Sequence, residues 1–338
     1  CKDWSPDFAI PGQGLDDAVL DLVVFDDGTG PAIYATGAFT EAGGVPVGYI
    51  AKWDGTQWWP LGSGLDDAGT ALAVHSEGGG PPSLYVGGWF TEAGGQPAEH
   101  VARWDGTSWH AVGGGVDYGQ VKALCSHDDG TGRKLFVGGG FLNAGGSQAL
   151  RIAAWDGQAW AQVGDGFDGP VYSLEVYDEG AGEVLIAGGG MHSSGTTQVR
   201  GIARWSGGAW SEVGGGVSGG VASMTVYDLG LGSGSQLWIG GNFNYAGGVA
   251  HPQVAAWDGA VWSGPSTGTG VQDNGIIGFH DGTLPSIVIL GPFGSVGSLP
   301  ANSIAAWNGS SWFALGTGLW PAFGWWSHLA LLPVVEPA

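Results

Sequence analysis

Residues 65–115 read LDDAGTALAVHSEGGGPPSLYVGGWFTEAGGQPAEHVARWDGTSWHAVGGG, and versions of this phrase recur along the whole chain. Copies start at Leu15, Leu65, Val116, Phe167, Val217 and Gly268, in steps of 50, 51, 51, 50 and 51 residues. The most regular piece is W-x-G-x-x-W, found as Trp53/Trp58, Trp104/Trp109, Trp155/Trp160, Trp205/Trp210, Trp257/Trp262 and Trp307/Trp312. A paired-indole motif kept at one phase through six units is a structural repeat, and a repeat governs the reading of the whole chain.

Each unit parses into four short strands. The first is an apolar run such as LDLVVFD (residues 20–26) or YSLEVYD (172–178), nearly continuous as in a strand covered on both faces. A turn cluster, DDGTGP at 26–31, closes it. The second strand is the LYVGG type, at 33–37, 84–88, 135–139 and 237–241. The third is the IARW type and ends at the first Trp of each pair. Asp-Gly or Asn-Gly then makes a tight hairpin into the fourth strand, which leaves through a Gly-rich exit such as 113–115.

Four-stranded units of about 50 residues in six copies predict an all-β fold, a β-propeller of six four-stranded blades. The chain reads as a single domain, 1–338, with repeats 15–64, 65–115, 116–166, 167–216, 217–267 and 268–318. Residues 1–14 resemble a fourth strand with its exit and 319–338 a first strand, so the ends are expected to close the seam, to form a partial seventh blade, or to reach into another copy. Glycine has a mechanical reason here. Blades crowd toward their axis, and a Gly-Gly pair lets backbones approach where side chains would collide. The paired indoles are expected to fill the wider outer wedge.

Composition narrows the function classes. The 338 residues hold 70 Gly, 17 Pro and 19 Trp, with 9 Lys+Arg against 31 Asp+Glu, a net charge of −22. The Gly content excludes helical bundles, and the Trp content excludes a disordered chain. Nine scattered cations supply no basic stripe for nucleic acid, and an anionic membrane surface would repel the chain. No run of 18 apolar residues spans a bilayer. Cys1 at the start is compatible with the lipid-bearing first residue of a bacterial lipoprotein, a disulfide to Cys125, or an arbitrary start; the first two place the protein outside the cytoplasm.

A hydrophobic strand ending in Gly-Gly, then an Asp turn beside Trp, resembles the kelch-type propeller repeat, here as LYVGG (84–88) and ARWDGTSW (102–109). The chain is still more similar to the secreted Gly/Trp-rich "FTxAGG…ARWDG" repeat proteins of environmental bacteria, through FTEAGG at 39–44 and 90–95. That resemblance covers about 15–318 and implies a propeller in an extracellular setting, with no particular activity. The fourth unit departs from it with MHSSGT (191–196), and the sixth has LGPF (290–293) where Gly-Gly is expected.

Candidate sites follow from residues that keep register. Asp16, Asp66, Asp117 and Asp168 recur in the connection from strand four to the next strand one, where a propeller would array them around one mouth. Clustered carboxylates suit hard cations, chiefly Ca²⁺, while Asp beside Gly also caps its own turn. Asp26-Asp27-Gly28, Asp128-Asp129-Gly130 and Asp178-Glu179-Gly180 read as turn residues on the opposite face. His75 and His127 stand where sister units have Phe25, Tyr177 and Tyr227, which makes them packing residues. Trp89 follows the second unit's Gly-Gly where its counterparts are Ala38, Gly140, Gly190 and Asn242, so it is a candidate to stack on a sugar or a partner surface. Trp59, also outside the paired motif, is the second such candidate.

No G-x-S-x-G elbow, phosphate-cradling loop, haem motif or Cys–His signature appears. The expectation is therefore a non-catalytic, extracellular or cell-surface scaffold for structure or protein binding, self-assembling through its terminal strands. The alternatives are a carbohydrate-binding or Ca²⁺-dependent adhesion module and, behind them, a carbohydrate-active enzyme.

Overall fold

In the computed structural model the described residues are 14–270, 275–280, 282 and 284–318, and they form the six four-stranded blades the repeat predicts. Blade two is representative. Its strands Gly69–His75, Ser83–Gly88, Val101–Trp104 and Trp109–Ala111 pair antiparallel in chain order from the inside out. The other blades repeat this order, with inner strands Val19–Asp26, Val121–Asp128, Val171–Asp178, Gly220–Tyr227 and Gly275–His280. Residues of all six inner strands line one common channel, so the blades are arranged radially rather than stacked in a line. Among the described residues there is no α-helix, and no helix among them is long and apolar enough to cross a membrane.

The crowding argument for glycine holds at the inner strands. A Cβ on Gly138 would strike the Val171 side chain of the next blade, and one on Gly139 would strike the Gln120 carbonyl of its own blade. The first glycine of the pair clears the neighbour and the second clears the bulge in the strand beside it. That bulge recurs in the first five inner strands, where the ladder skips one residue, as between Val121 and Ala123.

The indoles do more than fill the outer wedge. Each pair packs with ring centroids 5.2–5.3 Å apart. The second Trp then donates its Nε1–H to a main-chain carbonyl at the exit of the preceding blade: Trp109 to Leu61, Trp160 to Val112, Trp210 to Val163, Trp262 to Gly214 and Trp312 to Thr267. The spacing of the motif thus sets both the stacking within a blade and the bond between blades.

One element is absent from the sequence reading. FTEAGG and its counterparts fold into a two-stranded hairpin between strands two and three, as Glu41–Ala42 with Val45–Pro46 and Glu92–Ala93 with Gln96–Pro97. Gly43 and Gly44 stand at φ +59° and +78°, the two left-handed residues that a type I′ hairpin turn requires. The buried Ala42 of this hairpin bridges to Leu15, in the segment that enters strand one of the same repeat. The expected closing segments, apart from Gly14, lie outside the described residues, as do Cys1 and its pairing.

Candidate functional site

The connections from strand four to strand one and the hairpins between strands two and three share one face. The acidic residues read from the sequence sit there, each occupied with its own blade. Asp16 accepts the Thr40 and Glu41 N–H at 2.8 and 2.9 Å and the Thr40 hydroxyl at 2.9 Å. Asp66 does the same with Thr91 and Glu92, and Asp168 with His192 and Ser193. Asp117 accepts from the Leu142 and Asn143 N–H and from the Asn143 amide at 2.6 Å. In blade five a hydroxyl replaces the carboxylate, Ser218 Oγ accepting from the N–H of Asn244 and Tyr245.

These bonds hold all four carboxyls below the usual carboxylate range. For Asp16 the Glu41 N–H is the largest cause. For Asp66, Asp117 and Asp168 partial burial pushes upward and the donors outweigh it. Each carboxylate is therefore a staple that pins a hairpin to its connection. The structure does not bring them together as a cation cage: among the described residues no group of three or more His, Cys, Asp or Glu side chains is placed to hold a metal.

On the opposite face the turn residues form ion pairs. Asp27 accepts from Lys52 Nζ at 2.6 Å and from Tyr34 Oη at 2.7 Å, and Asp129 accepts from Lys134. In the alternate blades the longer glutamates do more. Glu77 and Glu179 pair with Arg103 and Arg204, and also accept the Nε1–H of Trp155 and Trp257 in the next blade at 2.8 and 3.0 Å. His75 and His127 are buried packing residues, as their slots predict. A hollow of about 610 Å³ on this face lies between the loops of blades two and three. Its walls are the glycine backbone of 78–80 and Gly132 with the side chains of Ser76, Thr131, Arg133, Lys134 and Asp156, of which Lys134 bonds the Thr131 hydroxyl and Asp156 accepts from its own turn.

The channel offers a different chemistry. At the end that carries the hairpins it holds a cavity of about 230 Å³ lined by the first residues of all six inner strands. The bulge residues Leu20, Thr70, Lys122, Tyr172 and Ala222 are among them, one from each of five blades. Lys122 places its ammonium 5.8 Å from the ring centroid of Trp89, within cation–π reach. Trp89 is 47 % exposed, and Tyr172 and Tyr118 are exposed on the same face. Trp59 lies elsewhere, on the outermost strand of blade one, where its Nε1–H bonds Asp54 at 2.6 Å. The structure therefore separates the two candidate tryptophans.

The sequence reading missed Lys122, Tyr118 and Tyr172. The signal for Lys122 and Tyr172 is variability at the bulge, one non-repeating position inside a repeating strand, and a bulge leaves no mark in the apolar pattern; Tyr118 stands in the connection before its strand, where Asp17 and Asp67 stand in the first two units.

No family model matches the chain, and no curated protein matches it. Twelve chains of solved structures do. One is the structure of SapL1 lectin in complex with alpha methyl fucoside, 14 % identical over 92 % of this chain and 99 % of the lectin chain, with a TM-score of 0.39. At that distance the likeness assigns no residue a role.

Proposed function

We propose that this protein is a non-catalytic binding scaffold whose working surface is the face of the hairpins and of the strand-four-to-one connections, centred on the channel mouth at Trp89, Lys122 and Tyr172. The observation that supports this reading is the distribution of exposed apolar side chains. Among the described residues Val45, Trp89, Tyr118, Leu142, Tyr172, Tyr245 and Val249 are exposed on that face. The opposite face has Leu231, Val261 and Leu284, and Trp59 stands at the outer edge. Exposed aromatic side chains gathered on one side of a stable ring mark a surface kept for contact. The recurring acids on both faces are occupied by the chain's own donors, and the exposed aromatic groups are the distinctive chemistry of the hairpin face.

A protein partner is the first reading, in the extracellular or cell-surface setting implied by the resemblance to kelch-like and secreted Gly/Trp-rich repeats. A glycan is the second, favoured by an exposed indole beside an ammonium. Self-association through the terminal segments competes with closure of the ring by the same segments. The test uses the full chain on a glycan array and as bait for secreted proteins, with Trp89→Ala/Tyr118→Ala against Trp59→Ala. Any ligand captured by the wild type is expected to be lost at least about tenfold in the first variant and kept in the second. A ligand indifferent to Trp89 and Tyr118, or one that is chemically converted, overturns the proposal.

A further inference from the structure

The loop from strand one to strand two in blade two lacks the anion that its sister loops carry. In blades one, three and four one carboxylate oxygen of Asp26, Asp128 or Asp178 accepts two glycine N–H groups of its own loop, at 2.8–3.1 Å. Asp228 holds Gly230 in blade five in the same way. Blade two has Ser76 at that position, and its hydroxyl makes no such bond. Among the described residues no side chain accepts from the N–H of Gly78, Gly79 or Gly80. The loop is also one residue longer, with seven residues between the paired His75 and Ser83 against six between Phe25 and Ala32. A Cβ on Gly78 or Gly79 would meet nothing within 4 Å, so the space before these glycines is open.

That loop forms part of the wall of the hollow of about 610 Å³ between blades two and three. The corresponding loop of blade three brings Arg133 and Lys134 to the same hollow, two of the chain's 9 Lys and Arg residues. Lys134 is occupied by Asp129 and the Thr131 hydroxyl. Arg133 is exposed, and among the described residues nothing accepts from its guanidinium. The nearby acids are already engaged. Glu77 accepts from Tyr85, Arg103 and Trp155, and Asp128 and Asp156 accept from their own turns. With 31 Asp and Glu in the chain, a guanidinium left without a carboxylate is the exception. Its planar fork of donors suits a carboxylate, sulfate or phosphate group. The more distant acids are screened beyond about 8 Å at physiological ionic strength, so the groups on the wall decide what enters.

The hollow falls in the size class of small-molecule sites, about 300–1,000 Å³. Its lining holds the hydroxyls of Ser76 and Thr131 and the backbone of four glycines, with no aromatic or large aliphatic side chain. Such walls match a polar, hydroxyl-bearing body rather than an apolar one.

We propose that this hollow binds a small polyhydroxylated anion, a sugar that carries a carboxylate, sulfate or phosphate group. Arg133 takes the oxyanion, beside the blade-two loop whose sisters hold an aspartate of their own. The sugar hydroxyls meet Ser76, Thr131 and the glycine backbone. The site lies on the face opposite the channel mouth and does not rest on the reading of that mouth.

The test is calorimetric titration of the full chain, at matched ionic strength, with glucuronate, a glucose sulfate ester, a glucose phosphate ester and neutral glucose. At least one of the three anions is expected to bind in the millimolar range or tighter, and the one that binds identifies the oxyanion. Glucose should bind about tenfold more weakly or less, since it lacks the charge-assisted bond. Arg133→Gln should weaken the anion about tenfold or more for the same reason. Ser76→Asp, which puts a carboxylate where the sister loops have one, should do likewise. Melting temperatures close to the wild type are expected for both variants, because Arg133 is exposed and Ser76 is only half-buried on its loop. No binding by any of the three anions, equal binding of glucose, or unchanged binding in either variant overturns the proposal.

Discussion

Gly69 of blade two faces Thr36 of blade one so closely that a Cβ on the glycine would strike the threonine hydroxyl. At the next junction the sizes are exchanged, with Gly87 of blade two clearing Val121 of blade three. Each of the first four junctions has one small partner at this level, and either blade can provide it. The first blade's Thr36-Gly37 in place of Gly-Gly is therefore a compensated change rather than a degenerate copy.

The exchange predicts coupling. Gly69→Val alone is expected to cost about 1–3 kcal/mol through overpacking, as is Gly87→Val. Adding Thr36→Gly to Gly69→Val should return part of that loss, although it removes the Thr36 hydroxyl bond to the Tyr49 carbonyl at 2.9 Å. A double-mutant cycle from urea midpoints should give a favourable coupling of about 0.5 kcal/mol or more, the range for residues in contact. Additive effects would show that the two residues do not share the junction.

The indole bonds between blades predict a contrast within one residue type. Trp160→Phe keeps most of the ring packing but removes the Nε1–H donated to the Val112 carbonyl at 3.1 Å. That carbonyl keeps the Gly115 N–H at 2.8 Å, so losing the indole bond at a part-buried site should cost about 0.5–1.5 kcal/mol. Trp59→Phe removes a shorter bond, to Asp54 at 2.6 Å, but an exposed one whose acceptor water can satisfy, and should cost well under about 0.5 kcal/mol. Chemical denaturation of the two variants compares the costs directly.

The blade count and strand order were legible because the W-x-G-x-x-W motif carries several local instructions at once. Asp54 accepts the Thr56 and Gln57 N–H and so builds its own turn, while Trp53 and Trp58 meet across the hairpin it makes. Each repeat states this again. The left-handed residues before strand three were not legible, because Tyr49, His100, Arg151, Gln253 and Ser303 are side-chain-bearing residues at φ near +64° with nothing in their identity to mark it. The role of Asp66 was half legible. Its recurrence was visible, but whether recurring carboxylates face one another or their own loops depends on the hairpin at 92–97, whose two-residue strands are too short to show alternation. Trp89 was visible as an odd residue, and its neighbour Lys122 was not, because they meet only once blade three stands beside blade two.

Stability should depend on pH with two opposite signs. Burial among the inner strands pushes the carboxyls of Asp21 and Glu175 up to about 7 each. Asp21 keeps some surface in the channel, yet its oxygens are turned to the N–H of Leu22 and of Leu72 in the next blade, so enclosure governs its titration. Their folded values lie above the ordinary ones near 4, so the stability they contribute is complete below about pH 4 and is lost as pH rises through about 7. The four staple aspartates have depressed values and act the other way, losing their contribution as pH falls below about 4. The expected melting profile peaks in weak acid and declines toward pH 8. Asp21→Asn with Glu175→Gln should flatten that decline, and an unchanged slope between pH 5 and 8 would refute the assignment.

The same staples predict indifference to divalent cations. A hard cation needs several oxygens with lone pairs to spare, and six or more ligands when it is Ca²⁺. Asp16, Asp66, Asp117 and Asp168 each use both oxygens on their own hairpin, and binding a cation would mean releasing two N–H groups and a side-chain donor per blade. The melting temperature of the full chain should therefore be the same in EDTA and in millimolar CaCl₂. Asp117→Ala should lower it in both, because the Leu142 and Asn143 N–H lose their acceptor whether or not calcium is present. A calcium-dependent rise that Asp117→Ala abolishes would show instead that the carboxylates leave their hairpins to build a metal site at the channel mouth.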